Sequence, residues 1–247
     1  MLRLIKMYLY RASRLVSSKL WFVLLEIILL VPMAKMVLFS SNREADIAVF
    51  DIILQIISSG MPCMICSFFI SGLFAHDEKG GYIKNIITSI NDRKSLFFSR
   101  IAVTAVYLFL IYFIIIVSTL VIYGLVLKME IISDINIIMK LVMSYWLSVS
   151  FLCFVNMVII IAKSVTLPVM MTLISISGLI ALPVLMINLL ISKLFKFDSF
   201  DLGEHLVSTC LKGLNYDFDL CHHLLIGAVY ILVSFFCSLL VLRKRDV

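Results

Sequence analysis

The sequence predicts an all-α membrane protein with six transmembrane helices, an N-terminal interfacial amphipathic helix and both termini in the cytoplasm. Hydrophobic residues make up 63% of the chain and the mean hydropathy is +1.14, whereas roughly half of the residues of a soluble domain are apolar. The apolar residues also fall into long runs, and about 20 such residues can cross a hydrocarbon core of roughly 30 Å. Barrel strands would instead be alternating segments of roughly ten residues.

Six apolar runs are long enough to span the membrane. The basic residues between them are unevenly distributed, because 14 of the 21 lysines and arginines lie on the side that holds both termini. Such residues in short loops mark the cytoplasmic side, so we expect a multi-pass protein of the cell membrane with cytoplasmic termini. This bias and anionic lipid at the inner surface explain the formal charge of +6 without nucleic acid. The runs are residues 20–39, 50–75, 96–127, 137–162, 166–191 and 223–242.

Residues 1–19, MLRLIKMYLYRASRLVSSK, precede the first predicted span. At 100° per residue, their apolar side chains share one face, while most basic and hydroxyl side chains lie opposite. This pattern predicts a helix that lies in the cytoplasmic interface. A solvated basic lead-in is the alternative. The apolar face contains Leu4, Ile5, Tyr8, Leu9, Ala12, Leu15 and Val16.

The loop at 76–95, between the second and third spans, is the longest predicted cytoplasmic segment after the N-terminus. Gly80 and Gly81 permit a turn at its start. Isoleucines then recur at helical spacing, which predicts a short amphipathic helix over 83–90. A simple connector remains the alternative. The isoleucines are Ile83, Ile86, Ile87 and Ile90.

The motif in this loop is F-x-x-x-E-K-x-G-x-x-K-x-I-x-x-S, followed by an Arg-Lys pair and then S-R. It resembles the first cytoplasmic loop of ABC-2-type permeases, the membrane subunits of one class of ATP-binding-cassette transporters. The helix before the first span and the short basic tail also resemble that family. Many members have a proline in mid-loop, where this chain has Asn91-Asp92. The matching positions are Phe74, Glu78, Lys79, Gly81, Lys84, Ile86, Ser89, Arg93, Lys94, Ser99 and Arg100.

The resemblance implies a single ABC-2-type transmembrane domain over residues 1–247, with a coupling loop at 76–95 that docks in a groove of a separate ATPase. It further implies two ATPase subunits and a second permease chain, identical or related, as partners beside membrane lipids. No G-x-x-x-x-G-K-[ST] loop occurs among the nine glycines. We therefore expect a non-enzymatic chain without a cofactor of its own, whose partner ATPase binds ATP and Mg. The expected coupling residues are Glu78, Lys84, Ile86, Ile87 and Arg93.

The function that this resemblance implies is export of an amphipathic substrate, such as an antimicrobial peptide, a drug or a lipid. The outer segment at 192–222 mixes apolar and acidic residues, a pattern typical of short helices on or within the outer leaflet. Family members place small re-entrant helices at the same point. The alternative function is that of a non-transporting sensor or immunity protein that binds a ligand at the outer leaflet.

Glu26 stands out as a charge within the first predicted span. An uncompensated carboxylate there costs about 2.5 to 3.5 kcal/mol on insertion scales. One interpretation places Glu26 at a subunit contact or on the transport path. The other places it near the cytoplasmic interface, where it is neutral or held by Lys19.

The histidines and cysteines do not predict a metal site or a reactive thiol within the membrane. All four histidines fall in loops or at span ends, so no intramembrane metal site is expected. Cys63 and Cys66 form a C-x-x-C within the second span, where buried thiols are inert packing groups. Cys210 and Cys221 lie on the predicted outer side, where either a disulfide or two free thiols is possible.

Overall fold

The computed structural model describes residues 2–14, 49–79, 93–122, 135–179, 184, 203–214 and 218–244. These residues form helices, turns and short irregular segments, with no strand among them, which confirms the all-α prediction. The first predicted span, 20–39, lies outside the described residues. The helices are α1 (Leu2–Arg14), α2 (Val49–Ser58), α3 (Met61–Lys79), α4 (Arg93–Thr119), α5 (Ile135–Ala162), α6 (Thr166–Ser177), α7 (Val207–Gly213) and α8 (Leu220–Lys244).

Three helical segments are long and apolar enough to cross a membrane, namely 94–122, 135–162 and 220–242. They correspond to the third, fourth and sixth predicted spans. The bent pair α2–α3 passes the same test when its two helices are counted together, and α6 covers the start of the fifth predicted span. The described residues therefore form a membrane-embedded helical bundle with three or four candidate spans.

The second predicted span is not one straight helix, because α2 and α3 meet at a 45° bend. Gly60, between them, has a φ of +79°, a backbone conformation that residues other than glycine rarely adopt. The Ser58 and Ser59 hydroxyls donate to the carbonyl oxygens of Gln55 and Ile56, at 3.2 and 2.6 Å. Such local hydrogen bonds favour helix ends and bends, and hydropathy alone does not report them.

α5 is the centre of the bundle. Its most apolar stretch is 67% buried, compared with 33% for α4 and 22% for α8. It packs against six helices: α2, α3, α4, α6, α7 and α8. The outer faces of α4 and α8 expose large apolar side chains, which suits contact with lipid rather than water. These side chains include Phe109, Phe113, Leu225, Leu232 and Phe236.

Buried polar side chains join the helices within the apolar core. They form three hydrogen-bonded pairs, two between α4 and α5 and one between α3 and α6. Interhelical hydrogen bonds of this kind contribute about 0.6 kcal/mol each on average in membranes, so they help to fix which faces meet. The pairs are Tyr112 with Ser148 (2.8 Å), Asn156 with Thr104 (3.1 Å) and Ser67 with Thr172 (2.7 Å).

α1 packs at one end of the bundle, which we call the α1 end. A buried cluster there joins α1 to the start of α4 and to the ends of α5 and α8. The first and last helices of the described chain therefore meet at the same end. The members of the cluster are Leu4, Leu96, Phe97, Ile160 and Leu242.

The polarity of α1 follows the helical pattern of its sequence. Tyr8 and Ala12 are buried on the face that also carries Leu4, while Arg3 and Lys6 are exposed. Leu9, which the pattern places on the apolar face, is 36% exposed, because it lies at the edge of that face. The helix thus presents a basic surface on one side and packs on the other.

Gly227 sets the distance between α8 and α5. A Cβ atom at this position would collide with the Trp146 indole and lie 2.9 Å from Ser150 Oγ. A Cβ atom at Gly72, in α3, would meet nothing within 4 Å. The two glycines therefore form a matched pair for testing how tightly the bundle is packed.

We expect Gly227→Ala to lower stability by about 1 to 3 kcal/mol, because overpacking displaces neighbouring groups. Gly72→Ala should be neutral or stabilising by up to about 1 kcal/mol, since alanine favours the helix without a clash. Thermal unfolding of the full chain in detergent, followed by size-exclusion chromatography, measures both. Equal shifts for the two variants would contradict the packing at Gly227.

Candidate functional site

Five side chains from three helices meet at the α1 end, and we call them the interfacial cluster. Tyr8 and Arg11 come from α1, Phe74 and Asp77 from α3, and Arg100 from α4. α3 leads into the predicted coupling loop and α4 leads out of it. The cluster therefore ties both ends of that loop to α1.

An ion pair joins α1 to α3. Arg11 Nη1 lies 2.7 Å from Asp77 Oδ1, and the side chain of Asp77 is 1% exposed whereas that of Arg11 is 31% exposed. A buried carboxylate is costly unless it is paired, so the ion pair fixes where α1 docks on α3. Asp77 Oδ2 is also buried and accepts no hydrogen bond from the residues that the structure describes.

Arg100 brings α4 into the cluster, and it is fully buried. Its guanidinium carbon lies 5.0 Å from the centroid of the Phe74 ring. A cation over an aromatic face contributes about 2 kcal/mol when it is desolvated. Phe74 thus contacts Arg100 of the next helix and is also part of the main apolar core.

Tyr8 closes the cluster from α1. Its ring meets the Phe74 ring edge to face, with centroids 5.3 Å apart and an interplanar angle of 82°. Burial raises the pKa of the Tyr8 phenol above 10.0, while the nearby Arg100 guanidinium acts in the opposite direction. The phenol is therefore neutral at pH 7, and it contributes to the cluster through its aromatic ring.

Two of the predicted coupling residues belong to helices that the structure describes. Glu78 is in the last turn of α3 and Arg93 is the first residue of α4. Their side chains are outside the described residues, so their predicted pairing stays a prediction. Lys84, Ile86 and Ile87 also lie outside the described residues, as does Glu26, and the helix predicted over 83–90 is therefore untested.

Sequence reasoning missed the members of the interfacial cluster. Arg100 falls inside the third predicted span, where a charged side chain is energetically unfavourable. Like Glu26, it could therefore have been identified from the sequence as a candidate functional residue. The pairing of Arg11 with Asp77 was not available, because these residues are far apart in sequence and meet only once α1 folds back onto α3. The resemblance matched Phe74 and Arg100 without assigning a contact to them.

The histidines and cysteines that the sequence analysis considered can be placed in the described part of the chain. No group of three or more potential metal ligands occurs there. Cys63 and Cys66 are buried in α3, as the sequence predicts for packing thiols. Cys210 is buried, Cys221 is exposed, and both are free, so the disulfide alternative is not formed in this structure.

The interfacial cluster is suited to holding helices rather than to covalent chemistry. Its ionisable groups are engaged in an ion pair and in a cation–π contact, and it joins three segments that are separate in sequence. Comparison with protein-family models and with curated proteins finds no match to this chain. Function is therefore inferred from the residues and their geometry.

We expect Arg11→Ala and Asp77→Ala each to destabilise the protein by about 1 to 3 kcal/mol, because each removes the ion pair and Arg11→Ala also leaves the buried Asp77 carboxylate without it. The double variant should cost less than the sum of the two, with a coupling energy of about 0.5 to 3 kcal/mol. Thermal unfolding in detergent measures the cycle. Lys6→Ala, on the exposed face of α1, is the control and should change little; strict additivity of the pair would contradict the ion pair.

Proposed function

We propose that this chain is the permease subunit of an ABC-2-type exporter, which moves an amphipathic substrate such as an antimicrobial peptide, a drug or a lipid out across the membrane. A separate ATPase subunit supplies the energy. The observation that carries the proposal is the interfacial cluster, which attaches α3 and α4, on either side of the coupling loop, to α1. Motion can pass between subunits only through elements that are held rigidly on both sides.

The proposed topology has six spans and cytoplasmic termini at the α1 end. It is supported by the cluster that contains Leu4 and Leu242, since an even number of crossings returns the chain to the side on which it began. The excess of lysine and arginine predicted for that side agrees. The outer segment at 192–222, which contains α7 and the start of α8, is then proposed to lie on the opposite side of the membrane.

In this proposal, two ATPase subunits dock beneath the α1 end and a second permease chain completes the translocation path. ATP and Mg bind to the ATPases, so this chain is neither an enzyme nor a cofactor-binding protein. The coupling loop meets the ATPase through an apolar face and transmits its movement to α3 and α4. The residues proposed for this contact are Glu78, Lys84, Ile86, Ile87 and Arg93.

The double variant Ile86→Asp/Ile87→Asp should release the ATPase or uncouple it from transport, because it places two charges in the docking face. Asn85→Asp is the matched control, since it adds a charge on the face that the helical pattern turns away from the isoleucines. Co-purification of the ATPase from native membranes, together with transport in proteoliposomes, measures both effects. If the double variant retained both ATPase association and transport at the full level, the loop would be a simple connector.

Absence of any ATPase from the purified native complex would be a separate outcome. It would favour the alternative of a non-transporting sensor or immunity protein. Stoichiometric association with an ATPase would support the permease.

The topology can be tested with a thiol that the chain already carries. Cys221 is exposed at the start of α8, whereas four other cysteines are buried and Cys237 is partly buried. Under the proposed topology, a membrane-impermeant maleimide should label Cys221 in intact cells, and Cys221→Ser should abolish that label. Labelling that requires membrane permeabilisation would place α7 and the start of α8 on the cytoplasmic side instead.

A further inference from the structure

A cavity of about 250 Å³ lies between α5, α6, α7 and α8. Its walls are mostly aromatic and aliphatic. The buried side chains of Phe151 and Val207 lie at the inner part of its lining. The remaining lining residues are Phe154, Met171, Ser175, Leu206, Ser208, Val229, Tyr230 and Val233.

Part of the cavity lining is exposed on the outside of the described bundle. Met171, Val229 and Val233 line it and are 37%, 46% and 50% exposed. Val229 and Val233 lie on α8, the most exposed of the three long helices. In a membrane-embedded chain these exposed apolar side chains are within reach of lipid, so a ligand could enter laterally without crossing the bundle.

One polar group in the wall already has a partner within the protein. The Ser175 hydroxyl donates to the Met171 carbonyl oxygen at 2.8 Å, and most of the other lining side chains are apolar. Ordered water needs two to four polar partners in a cavity. A cavity with such walls favours an apolar ligand over water.

The volume points to the size of that ligand. An apolar cavity of about 150 Å³ is enough for a benzene-sized molecule, whereas sites for drug-sized ligands measure about 300 to 1,000 Å³. The cavity is therefore large enough for part of a hydrocarbon chain and too small for a whole amphipathic molecule. A chain that enters from the side would leave its polar head outside the cavity.

We propose that this cavity binds one acyl chain of a membrane phospholipid from the leaflet on the α7 side. The bound chain would lie between Phe154 and Val233, below the start of α7, and so would link α7 to α5 and α8 through apolar contacts. This site depends on membrane embedding alone. It holds whether or not the chain is a permease.

Photo-crosslinking in phosphatidylcholine nanodiscs tests the proposal, with a phosphatidylcholine that carries a diazirine on its acyl chain. The full chain should give cross-links on α5 and α6 at the cavity wall, in addition to those on lipid-facing side chains. Val233→Trp should remove most of the cavity cross-links, because the indole fills the opening. Leu232→Trp is the matched control: Leu232 is the next residue and is 54% exposed, but it does not line the cavity.

Ser175→Leu provides a second way to fill the cavity, from α6, if Val233→Trp fails to fold as judged by size-exclusion chromatography. Loss of wall cross-links in either folded cavity variant, with retention in Leu232→Trp, supports the acyl-chain site. Unchanged wall cross-links in both cavity variants, or their absence in the parent chain, would overturn it. ATPase association is a separate measurement, so failure here leaves the permease proposal standing, and the reverse also holds.

Discussion

The ion pair between Arg11 and Asp77 is the interaction on which the α1 end depends. A buried pair of this kind adds little net stability, but its separation is costly because each charge then lacks a partner. It therefore acts mainly on geometry: α1 has one position on α3 in which the carboxylate is paired. In that position the Tyr8 ring packs against the Phe74 ring. The Arg100 guanidinium lies over the same Phe74 ring.

The opposite end of the bundle is held in a different way. α7 contacts its neighbours through buried apolar side chains and through Lys212, whose Nζ donates to the Ile176 carbonyl oxygen of α6 at 2.7 Å. The cavity beside α7 is lined in part by exposed apolar side chains of α8. Apolar contacts are non-directional, so they specify position less sharply than an ion pair does. Between the two ends, α5 and its interhelical hydrogen bonds form a common core. The two ends therefore differ: a buried ion pair fixes the α1 end, whereas apolar contacts and one lysine–carbonyl hydrogen bond hold the α7 end.

Hydropathy was sufficient for the long helices, because a run of apolar residues has few other stable states in a bilayer. It failed at Gly60, since the bend depends on one backbone conformation and on two serine hydroxyls rather than on average polarity. The candidate site could be predicted in part, because Arg100 is a charged residue within a predicted span. Its contacts could not, because Arg100 meets Phe74 only where α4 packs on α3, and Arg11 meets Asp77 only where α1 docks on α3. The cavity likewise arises from four helices at once.

The burial of Arg100 has a consequence for the order in which the protein is made. α4 carries this charge seven residues after its start, and a guanidinium that enters lipid alone is strongly disfavoured. Phe74, which lies against this guanidinium, belongs to the preceding helix α3 and is synthesised before α4. Insertion of α3 and α4 as one hairpin would therefore place the guanidinium against an aromatic ring as it enters the membrane.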